Sequence, residues 1–593
     1  MRYRYIETIK SVDYIKLILI GMCIILPFIG INKGLDVTDT GYIINSYKFV
    51  YSNPDSINFA IIFTSMFGNI ISKLLTLINV PTYLGLRIVA SIASLCTCFI
   101  VVKFLKVYFD EKILIIGSIF TLLLARGHIS ILMYNNLSAF VGTIICIFLM
   151  KGIIYEKNKY IFLSGILLGI NIFIRISNLV QLVILFGIIY YGVQTKNIRN
   201  MVRSIGIFLA GMLSSVITSV IFLVNIFGEK RLMSMVNIYS KEAMKSKDSH
   251  SIFDSIKINF NQGINGVFWI TLLFALSIIL YYIFKNNKRI IENIRNIYFL
   301  FILIPLVFIV FKYIGLDKVI VFNKIYKLFY SVYQPFSIAV GFFSILVLTN
   351  CFFTKRSSID ENTILIIAFL LMISMPIGSN QGFAILYQSF YIQAPLLACY
   401  IWRIISKKNV NVKEIFQNSM IILICVYLTL MLLCRNITYV YRDNSINDKY
   451  SIKNDKLRGI KTNKQRANDV EEVINSIDKY VDSNRKLITY GSIPLFSYLL
   501  DMSPFFDGFN GWIEMEQLSV ESMKNSLENT KEYPLIIISN VGTNNSIWPD
   551  NQTKIIMDEI KKSDVKYELI NNYICENNYE RVFENDSFTV YAK

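Results

Sequence analysis

Residues 14–42 have the sequence YIKLILIGMCIILPFIGINKGLDVTDTGY, in which an apolar run gives way to a polar segment within a few residues. The apolar part, Tyr14–Ile31, is close to the roughly 20 residues that a helix needs to cross a bilayer. No small-x-small cleavage site follows it, and more apolar runs come later in the chain. We therefore predict a retained first transmembrane helix rather than a signal peptide. The polar part then opens the first loop on the outer side of the membrane.

The composition of the whole chain agrees with a membrane protein. The chain has 593 residues, of which 54% are hydrophobic and 17% charged, whereas soluble proteins carry about 25% charged residues. A soluble core in a chain of this size cannot bury so much apolar surface. Composition thus excludes an ordinary cytosolic enzyme, a disordered chain and a disulfide scaffold. Two histidines and the lack of any CxxC spacing also argue against a zinc site.

The charges divide the chain into two parts. Residues 1–435 carry 40 Lys and Arg against 17 Asp and Glu, whereas residues 436–593 carry 19 against 24. The basic excess therefore belongs to the apolar part. It is typical of loops beside lipid headgroups and not of a nucleic-acid-binding surface. The abundance of Ile, Asn and Lys is typical of a bacterial protein from an AT-rich genome.

Apolar segments predict a polytopic α-helical membrane protein with about 13 transmembrane helices in residues 1–435. After the first helix these segments are roughly 83–105, 113–133, 136–155, 160–178, 179–195, 203–227, 265–284, 297–312, 329–353, 362–378, 385–402 and 415–434. Each segment is apolar over much of the length that a membrane span requires.

Residues 57–79 are apolar enough to span, but Asn58, Asn69, Ser72 and Lys73 interrupt the run. If this segment does not span, and the N-terminus is cytoplasmic, every cytoplasmic loop is basic. We therefore predict that residues 57–79 form a helix in the outer interface, within a first outer loop of about 32–82. An odd number of spans then places the tail outside the plasma membrane.

Residues 436–593 have the pattern of a small extracytoplasmic α/β domain. After a polar connector they predict a helix at 468–481, a strand at 486–490, a helix at 514–527, a strand at 535–539, a helix at 551–562 and a closing strand or hairpin at 581–591. No glycine-rich phosphate-binding motif follows a strand, so the pattern does not indicate a nucleotide site.

Two carboxylates, Asp36 and Asp39, lie three residues apart where the first loop leaves the bilayer. A carboxylate at that position is suited to act as a general base for an acceptor hydroxyl, or as half of a metal site. The alternative is a helix cap, with Thr38 or Asp39 capping a helix that begins near Thr40.

A first helix followed directly by an outer loop with Asp39 and then Tyr42 resembles the GT-C class of integral-membrane glycosyltransferases. That class includes the lipid A aminoarabinose transferases and the protein O-mannosyltransferases. The resemblance covers the whole chain, because several members end in an extracytoplasmic domain. The tail stretches Leu457–Thr462 and Leu487–Gly491 also look like the tails of uncharacterised bacterial members. The resemblance implies that Asp39 is the catalytic acid-base residue.

One departure concerns the second acidic position. Here Thr40 follows Asp39, where the better-known members have an Asp-Glu pair. This leaves open whether Asp36 supplies the second carboxylate and whether a divalent metal takes part. A single base predicts inversion at the anomeric carbon, whereas a second nearby carboxylate would allow retention.

The resemblance implies a polyprenyl-phosphate-linked sugar as donor and an extracytoplasmic glycan, lipid or protein as acceptor. The leaving lipid phosphate then needs cations at the outer interface. The candidates are Arg87, Arg175 and the loop residues Lys241 and Lys245. The alternative for each lysine is contact with anionic lipid headgroups, and for Arg175 it is snorkelling to the interface.

Candidate substrate-binding residues lie on the same outer side: Tyr42, His128, Asn135 and Asn380. For the last three, a polar turn at a helix end is the alternative. The aromatic segment 504–512 of the tail suits either a carbohydrate-facing loop or packing against the membrane part.

Two other functions compete with the transferase. A transporter or flippase for a lipid-linked sugar predicts ionisable residues near the middle of the spans, often with two similar halves. A non-catalytic membrane scaffold or sensor predicts that Asp36 and Asp39 are replaceable. A related polymerase or ligase would differ in its diphosphate-linked donor.

Overall fold

The computed structural model describes residues 13–125, 131–245, 256–262, 264, 333–353, 358–379, 382–405, 440–443, 450–482, 484–515, 518–530 and 532–593. The helices before the tail, numbered here in chain order, are α1 (Tyr14–Ile25), α2 (Asp39–Phe49), α3 (Ile62–Leu77), α4 (Thr82–Leu105), α5 (Glu111–Ala125), α6 (Tyr134–Ile154), α7 (Asn158–Ile174), α8 (Leu185–Gln194), α9 (Ile198–Phe227), α10 (Glu229–Lys245), α11 (Tyr333–Leu348), α12 (Ile359–Ser374) and α13 (Gln393–Ile405). The predicted spans at 265–284, 297–312 and 415–434, and the boundary at residue 435, lie outside the described residues.

Five helical stretches in the described part are long and apolar enough to cross a membrane: 59–77, 82–105, 134–154, 176–194 and 198–227. The first of these contains α3, which packs against α2, α4 and α7. By length and composition it qualifies as a span, so its predicted position in the interface stays a prediction. In all five stretches the charged residues lie within six positions of an end.

Contacts between distant segments distinguish the two ends of the bundle. At one end, the start of α1 meets the start of α5 through Lys16–Glu111 and Lys112–Asp13 ion pairs, both at 2.7 Å. At the other end, the main chain of the first loop joins the tail, where Gly34 N donates to Lys461 O at 2.8 Å. The start of α1 and the tail therefore lie at opposite ends of the helices. This is the arrangement expected if they face opposite sides of a membrane.

The tail folds as a four-stranded sheet with helices around it. Its helices are α14 (Lys464–Ser476), α15 (Leu495–Leu499), α16 (Val520–Glu528), α17 (Asn551–Ser563) and α18 (Val565–Glu576). Its strands are β1 (Tyr450–Ser451), β2 (Lys461–Thr462), β3 (Leu487–Tyr490), β4 (Leu535–Ser539), β5 (Glu580–Glu584) and β6 (Phe588–Ala592). The sheet has the order β3-β4-β6-β5, with β3 and β4 parallel and the β5–β6 hairpin antiparallel, while β1 and β2 form a separate antiparallel pair.

These tail elements match most of the predicted ones. The predicted strands at 486–490 and 535–539 correspond to β3 and β4, and the closing hairpin corresponds to β5 and β6. The apolar runs of β3 and β4 are buried on both faces, as expected for parallel strands. The sequence patterns did not predict α15, α18 or the short β1–β2 pair.

The hydrophobic core is continuous between the membrane helices and the tail. Leu35 of the first loop, Tyr83 of α4 and Leu495 of α15 belong to one buried cluster. Gly41 in α2 shows how tightly these parts pack, because a Cβ atom there would lie 2.3 Å from the main-chain nitrogen of Leu495. The carboxyl end of β3 is thereby covered by the first loop.

Candidate active site

The helix α2 begins with a cap, and the prediction that Thr38 or Asp39 supplies it is wrong. Asp36, not Thr38 or Asp39, supplies the capping carboxylate. It accepts hydrogen bonds from Thr38 N at 3.0 Å, Thr40 N at 2.8 Å and Thr40 Oγ1 at 2.9 Å. The Thr38 hydroxyl instead donates to Ser492 O in the tail at 2.9 Å. Asp36 is buried and its oxygens are occupied, so its geometry is that of a structural cap.

This cap leaves Asp39 at the first position of α2 with its side chain outside the helix hydrogen bonds. Its Oδ2 atom accepts a hydrogen bond from the Tyr441 hydroxyl at 2.6 Å and lies 2.7 Å from Arg442 Nη2. The side chain keeps a fifth of its surface exposed. Arg442 also faces the cap, with Nη1 3.9 Å from Asp36 Oδ1. A single guanidinium therefore faces both Asp36 and Asp39.

The electrostatics of this cluster favour a basic carboxylate. Burial raises the pKa of Asp39 above its ordinary value and nearby Asp36 adds to the rise, while Arg442 and the Tyr441 hydroxyl oppose it. Burial works against the charge of Arg442, but the two aspartates raise its pKa, so it stays cationic. A carboxylate with a raised pKa is a stronger base than a carboxylate with the ordinary pKa, so it takes a proton more readily. Asp39 is thus suited to general-base chemistry.

Arg442 was missed because it lies in the polar segment that was interpreted as a connector. The local signal is the run Tyr441-Arg442-Asp443 just after the last predicted span. An arginine at that point in the chain is expected at the outer interface, but nothing in the sequence pairs it with Asp39, about four hundred residues away. Its Nη1 atom is buried and has no hydrogen-bond partner among the described residues.

The tail loop 504–512 forms one wall of the site. The Trp512 ring lies 5.9 Å from the Arg442 guanidinium and 6.0 Å from the Tyr42 ring. The loop is fixed to the first loop by main-chain hydrogen bonds of 2.8 Å from Gly508 N to Asp55 O and from Asn510 N to Ser56 O. Of the two alternatives for this aromatic segment, the structure therefore shows packing against the membrane part.

Tyr42, an expected substrate-binding residue, lies in this wall. Its hydroxyl accepts a hydrogen bond from Asn58 Nδ2 at 3.0 Å, and the side chain is almost fully buried. Tyr42 therefore supports the loop on which Asp39 sits, and a direct contact with substrate stays a prediction.

Arg175 lies at the end of α7, next to the start of α6. Its guanidinium donates to Met375 O at 3.3 Å and to Gly378 O at 3.2 Å, and it interacts electrostatically with Tyr134 and Tyr239. Tyr134 in turn interacts electrostatically with Asp39. Arg175 and Asp39 thus both lie within electrostatic range of Tyr134.

Asn135, beside Tyr134, is buried, and its Oδ1 atom has no hydrogen-bond partner among the described residues. A buried amide oxygen without a partner is costly, so a group that donates a hydrogen bond is expected to satisfy it. This geometry suits the proposed contact with a sugar hydroxyl. The neighbouring Asn136 has a different role, since its Oδ1 accepts from Met133 N at 2.7 Å and caps α6.

Arg87 does not have the geometry expected of a phosphate ligand. It is 4% exposed, and its Nη atoms donate to the carbonyl oxygens of Ile31 at 3.0 Å, Lys33 at 2.7 Å and Gly34 at 2.8 Å. These bonds compensate its buried charge and fix the chain between α1 and Asp36. We therefore assign Arg87 to the support of the first loop in place of the expected phosphate contact.

The remaining sequence-predicted residues are only partly covered. His128 and Asn380 lie outside the described residues. Lys241 and Lys245 lie on α10, whose backbone is described, but their side chains are not. Their predicted contacts with phosphate or sugar stay predictions.

The described residues do not form an evident metal site. They contain no group of three His, Cys, Asp or Glu side chains suited to hold an ion. Asp36 and Asp39 face Arg442, and its charge occupies the position that a cation between them would take. We therefore derive no step of the chemistry through a metal.

Comparison with known proteins finds similar solved structures, among them the following two. No protein-family model and no curated protein matches the chain. The aminoarabinose transferase ArnT from Cupriavidus metallidurans, solved with bound undecaprenyl phosphate, is 11% identical with a TM-score of 0.47, and the match covers 97% of each chain. The Archaeoglobus fulgidus oligosaccharyltransferase, solved with a tethered acceptor peptide containing the NVT sequon, is 10% identical with a TM-score of 0.46, covering 88% of this chain and 69% of the other. At these scores the likeness carries no functional argument, so the proposal below depends on the site.

Proposed function

We propose that the chain is a membrane glycosyltransferase that moves a sugar from a polyprenyl-phosphate donor to an extracytoplasmic glycan, lipid or protein. The observation that carries the proposal is the Asp39–Arg442 pair: a partly exposed carboxylate with a raised pKa, held 2.7 Å from a guanidinium at the end of the bundle that bears the tail. Glycosyl transfer to a hydroxyl requires a base for the acceptor and a cation for the leaving phosphate, and this pair provides one of each.

In this mechanism Asp39 takes the proton of the acceptor hydroxyl while that oxygen attacks the anomeric carbon of the sugar. The bond between the anomeric carbon and the phosphate oxygen breaks, and the lipid phosphate leaves with the electron pair. Arg442, whose Nη1 atom has no hydrogen-bond partner in the described part, would bind this phosphate, with Arg175 contributing a second positive charge. Asn135 Oδ1 would accept a hydrogen bond from a sugar or acceptor hydroxyl.

The roles of the two aspartates favour inversion. A retaining mechanism needs a second carboxylate free to attack the sugar. Asp36 is 3% exposed and accepts three hydrogen bonds at the start of α2, which keeps it from that role. With Asp39 as the single base and the phosphate as leaving group, the reaction is a single displacement with inverted configuration at the anomeric carbon.

The distribution of charge favours an enzyme over the transporter alternative. A transporter places its ionisable residues near the bilayer midplane, where they bind the cargo. In the five candidate spans every charged residue lies within six positions of a helix end. The polar groups that suit a reaction cluster at the end that bears the tail, where a lipid-linked sugar and a water-soluble acceptor can meet.

The test is the effect of Asp39→Asn on surface glycans measured by mass spectrometry. Cells would carry the wild-type chain, no chain, Asp39→Asn, or the control Asp586→Asn, which alters an exposed tail carboxylate. Membrane abundance would be matched among the three proteins. We expect one sugar to disappear both without the chain and with Asp39→Asn, and to persist with Asp586→Asn.

A sugar that disappears only when the chain is missing would contradict the role of Asp39 as a base and would favour the transporter. A glycan that is unchanged in every strain would contradict the proposed transferase activity.

A further inference from the structure

Arg442 is followed in the chain by a second acidic residue that pairs in the opposite direction. Asp443 Oδ1 lies 3.0 Å from Arg466 Nη1, and both side chains are fully buried. Arg466 belongs to α14 of the tail. The described segment 440–443 therefore has one ion pair directed at Asp39 and the next directed into the tail.

The buried pair is bonded to the main chain on both sides of the candidate active site. Arg466 Nη1 donates to Arg442 O at 2.9 Å, and Asp443 Oδ2 accepts from Leu35 N at 2.8 Å. Leu35 directly precedes the capping residue Asp36. The pair thus fixes the backbone that carries the cation and the backbone that leads to the base.

Both members of the pair also form hydrogen bonds with residues of the tail. Arg466 Nη2 donates to Ser546 O at 3.0 Å and to Trp548 O at 2.6 Å, and its guanidinium lies 4.1 Å from the Trp548 ring. Thr462 Oγ1 donates to Asp443 Oδ2 at 2.6 Å. Gly34 adds a close approach, since it has φ of +84° and a Cβ there would lie 2.3 Å from Val440 Cγ1.

A buried ion pair alone is weak evidence for stability, because the cost of removing two charges from water offsets their attraction. Its value here is geometric, since each member also bonds a defined point of the main chain. Small errors of position at a catalytic group reduce rates strongly, by up to about a hundredfold for 1 Å.

We propose that Asp443 and Arg466 are positioning residues that hold Arg442 against Asp39, so that the tail sets the geometry of the active site. The effect on turnover rests on the proposed function. The effect on the exposure of Asp39 does not, because it follows from the contacts alone.

The first measurement labels carboxylates of the full chain in detergent with a water-soluble carbodiimide and an amine, with the extent at Asp39 read by mass spectrometry. Asp501, which is 57% exposed, serves as the internal reference. One variant is Thr462→Val, which removes the hydroxyl and keeps the shape of the side chain. The other is Arg466→Lys, which keeps the positive charge and removes the planar guanidinium. The control is Thr553→Val, a buried tail threonine whose hydroxyl donates to Asp550 O.

We expect labelling of Asp39 relative to Asp501 to rise about threefold in Thr462→Val and more in Arg466→Lys, with no change in Thr553→Val. If Arg466→Lys does not fold, Thr462→Val alone still tests the proposal. Unchanged labelling of Asp39 in a folded Thr462→Val protein would overturn it.

The second measurement is the pH profile of sugar transfer from a synthetic polyprenyl-phosphate sugar. The groups that act electrostatically on Asp39, or on which it acts, are Asp36, Tyr42, Tyr134, Tyr441 and Arg442. Of these, Tyr441 and Arg442 lie on the segment that the buried pair holds, and Asp36 follows Leu35, whose N–H the pair also bonds. Loss of the attraction of Arg442 makes the carboxylate harder to ionise, so the acid limb moves to higher pH in Thr462→Val and Arg466→Lys. We also expect kcat to fall about three- to tenfold in Thr462→Val, with KM nearly unchanged.

The two measurements separate failure of this proposal from failure of the proposed function. A wild-type chain that transfers no sugar, yet whose Asp39 becomes reactive in Thr462→Val, would contradict the transferase and support the positioning role. A wild-type chain that transfers sugar while Thr462→Val keeps both its pH profile and its labelling would contradict the positioning role alone.

Discussion

Two Asp–Arg pairs that share the segment 440–443 differ mainly in their access to solvent. Asp39 and Arg442 keep 21% and 17% of their side chains exposed, whereas Asp443 and Arg466 are fully enclosed. The enclosed pair bonds the main chain at Leu35 and Arg442, whereas Asp39 is held by the side chains of Tyr441 and Arg442. The comparison teaches that the same two residue types serve structure where both side chains are enclosed and bonded to the main chain, and suit chemistry where the pair stays partly open to solvent.

The largest expected effect comes from breaking the enclosed pair. Asp443→Ala leaves the buried charge of Arg466 without its carboxylate, which typically costs about 3–5 kcal/mol of unfolding free energy. Thermal unfolding of the full chain in detergent measures it, with Asp586→Ala at the exposed Lys554 pair as the control. Equal melting of Asp443→Ala and the wild type would show that the pair is replaceable and would weaken the comparison.

Removing the cation of the open pair should affect rate rather than stability. Arg442→Met is expected to reduce kcat by about 10²- to 10³-fold, the usual loss when one group that stabilises transition-state charge is removed. Arg442→Lys should recover part of this loss, since it restores charge but not the planar fork. Steady-state kinetics with a synthetic donor measures both. A variant that melts far below the wild type and keeps its rate would assign Arg442 to structure instead.

The hydroxyl of Tyr441 should tune the base. Because it donates to Asp39 Oδ2 and stabilises the ionised form, Tyr441→Phe raises the pKa of Asp39 further. The acid limb of kcat/KM against pH is therefore expected to move upward by about one pH unit. A limb that stays in place, or moves to lower pH, would exclude Asp39 as the group that titrates.

The smallest effect is expected at the cap. Asp36→Ala removes the acceptor for the first N–H groups of α2, which costs about 1 kcal/mol of unfolding free energy. Transfer should fall modestly, because the start of α2 carries Asp39. Asp110→Ala is the matched control, since Asp110 accepts from Lys112 N and Ile113 N at the opposite end of the bundle. Complete loss of transfer in Asp36→Ala with unchanged stability would instead assign a chemical role to Asp36.

Local sequence patterns predicted the features that depend on nearby residues. Apolar runs predicted α4, α6 and α9 among the described helices, because a helix in lipid must satisfy its own backbone and present apolar side chains. In the tail, short apolar runs between helical patterns predicted β3, β4 and the closing hairpin, because buried strands carry apolar side chains. The placement of Asp39 just after the first helix likewise follows from the chain alone.

The partners of these residues were decided only by the tertiary structure. Arg87 has the same charge as Arg442, yet Arg87 donates hydrogen bonds to three carbonyl oxygens before Asp36, whereas Arg442 faces Asp39. Asp36 and Asp39 are chemically identical, but the turn into α2 makes one a cap and the other a candidate base. The sequence by itself therefore determined that Asp36 and Asp39 lie directly after the first helix. Which charge meets which was fixed by contacts between segments hundreds of residues apart, and no local pattern encodes such contacts.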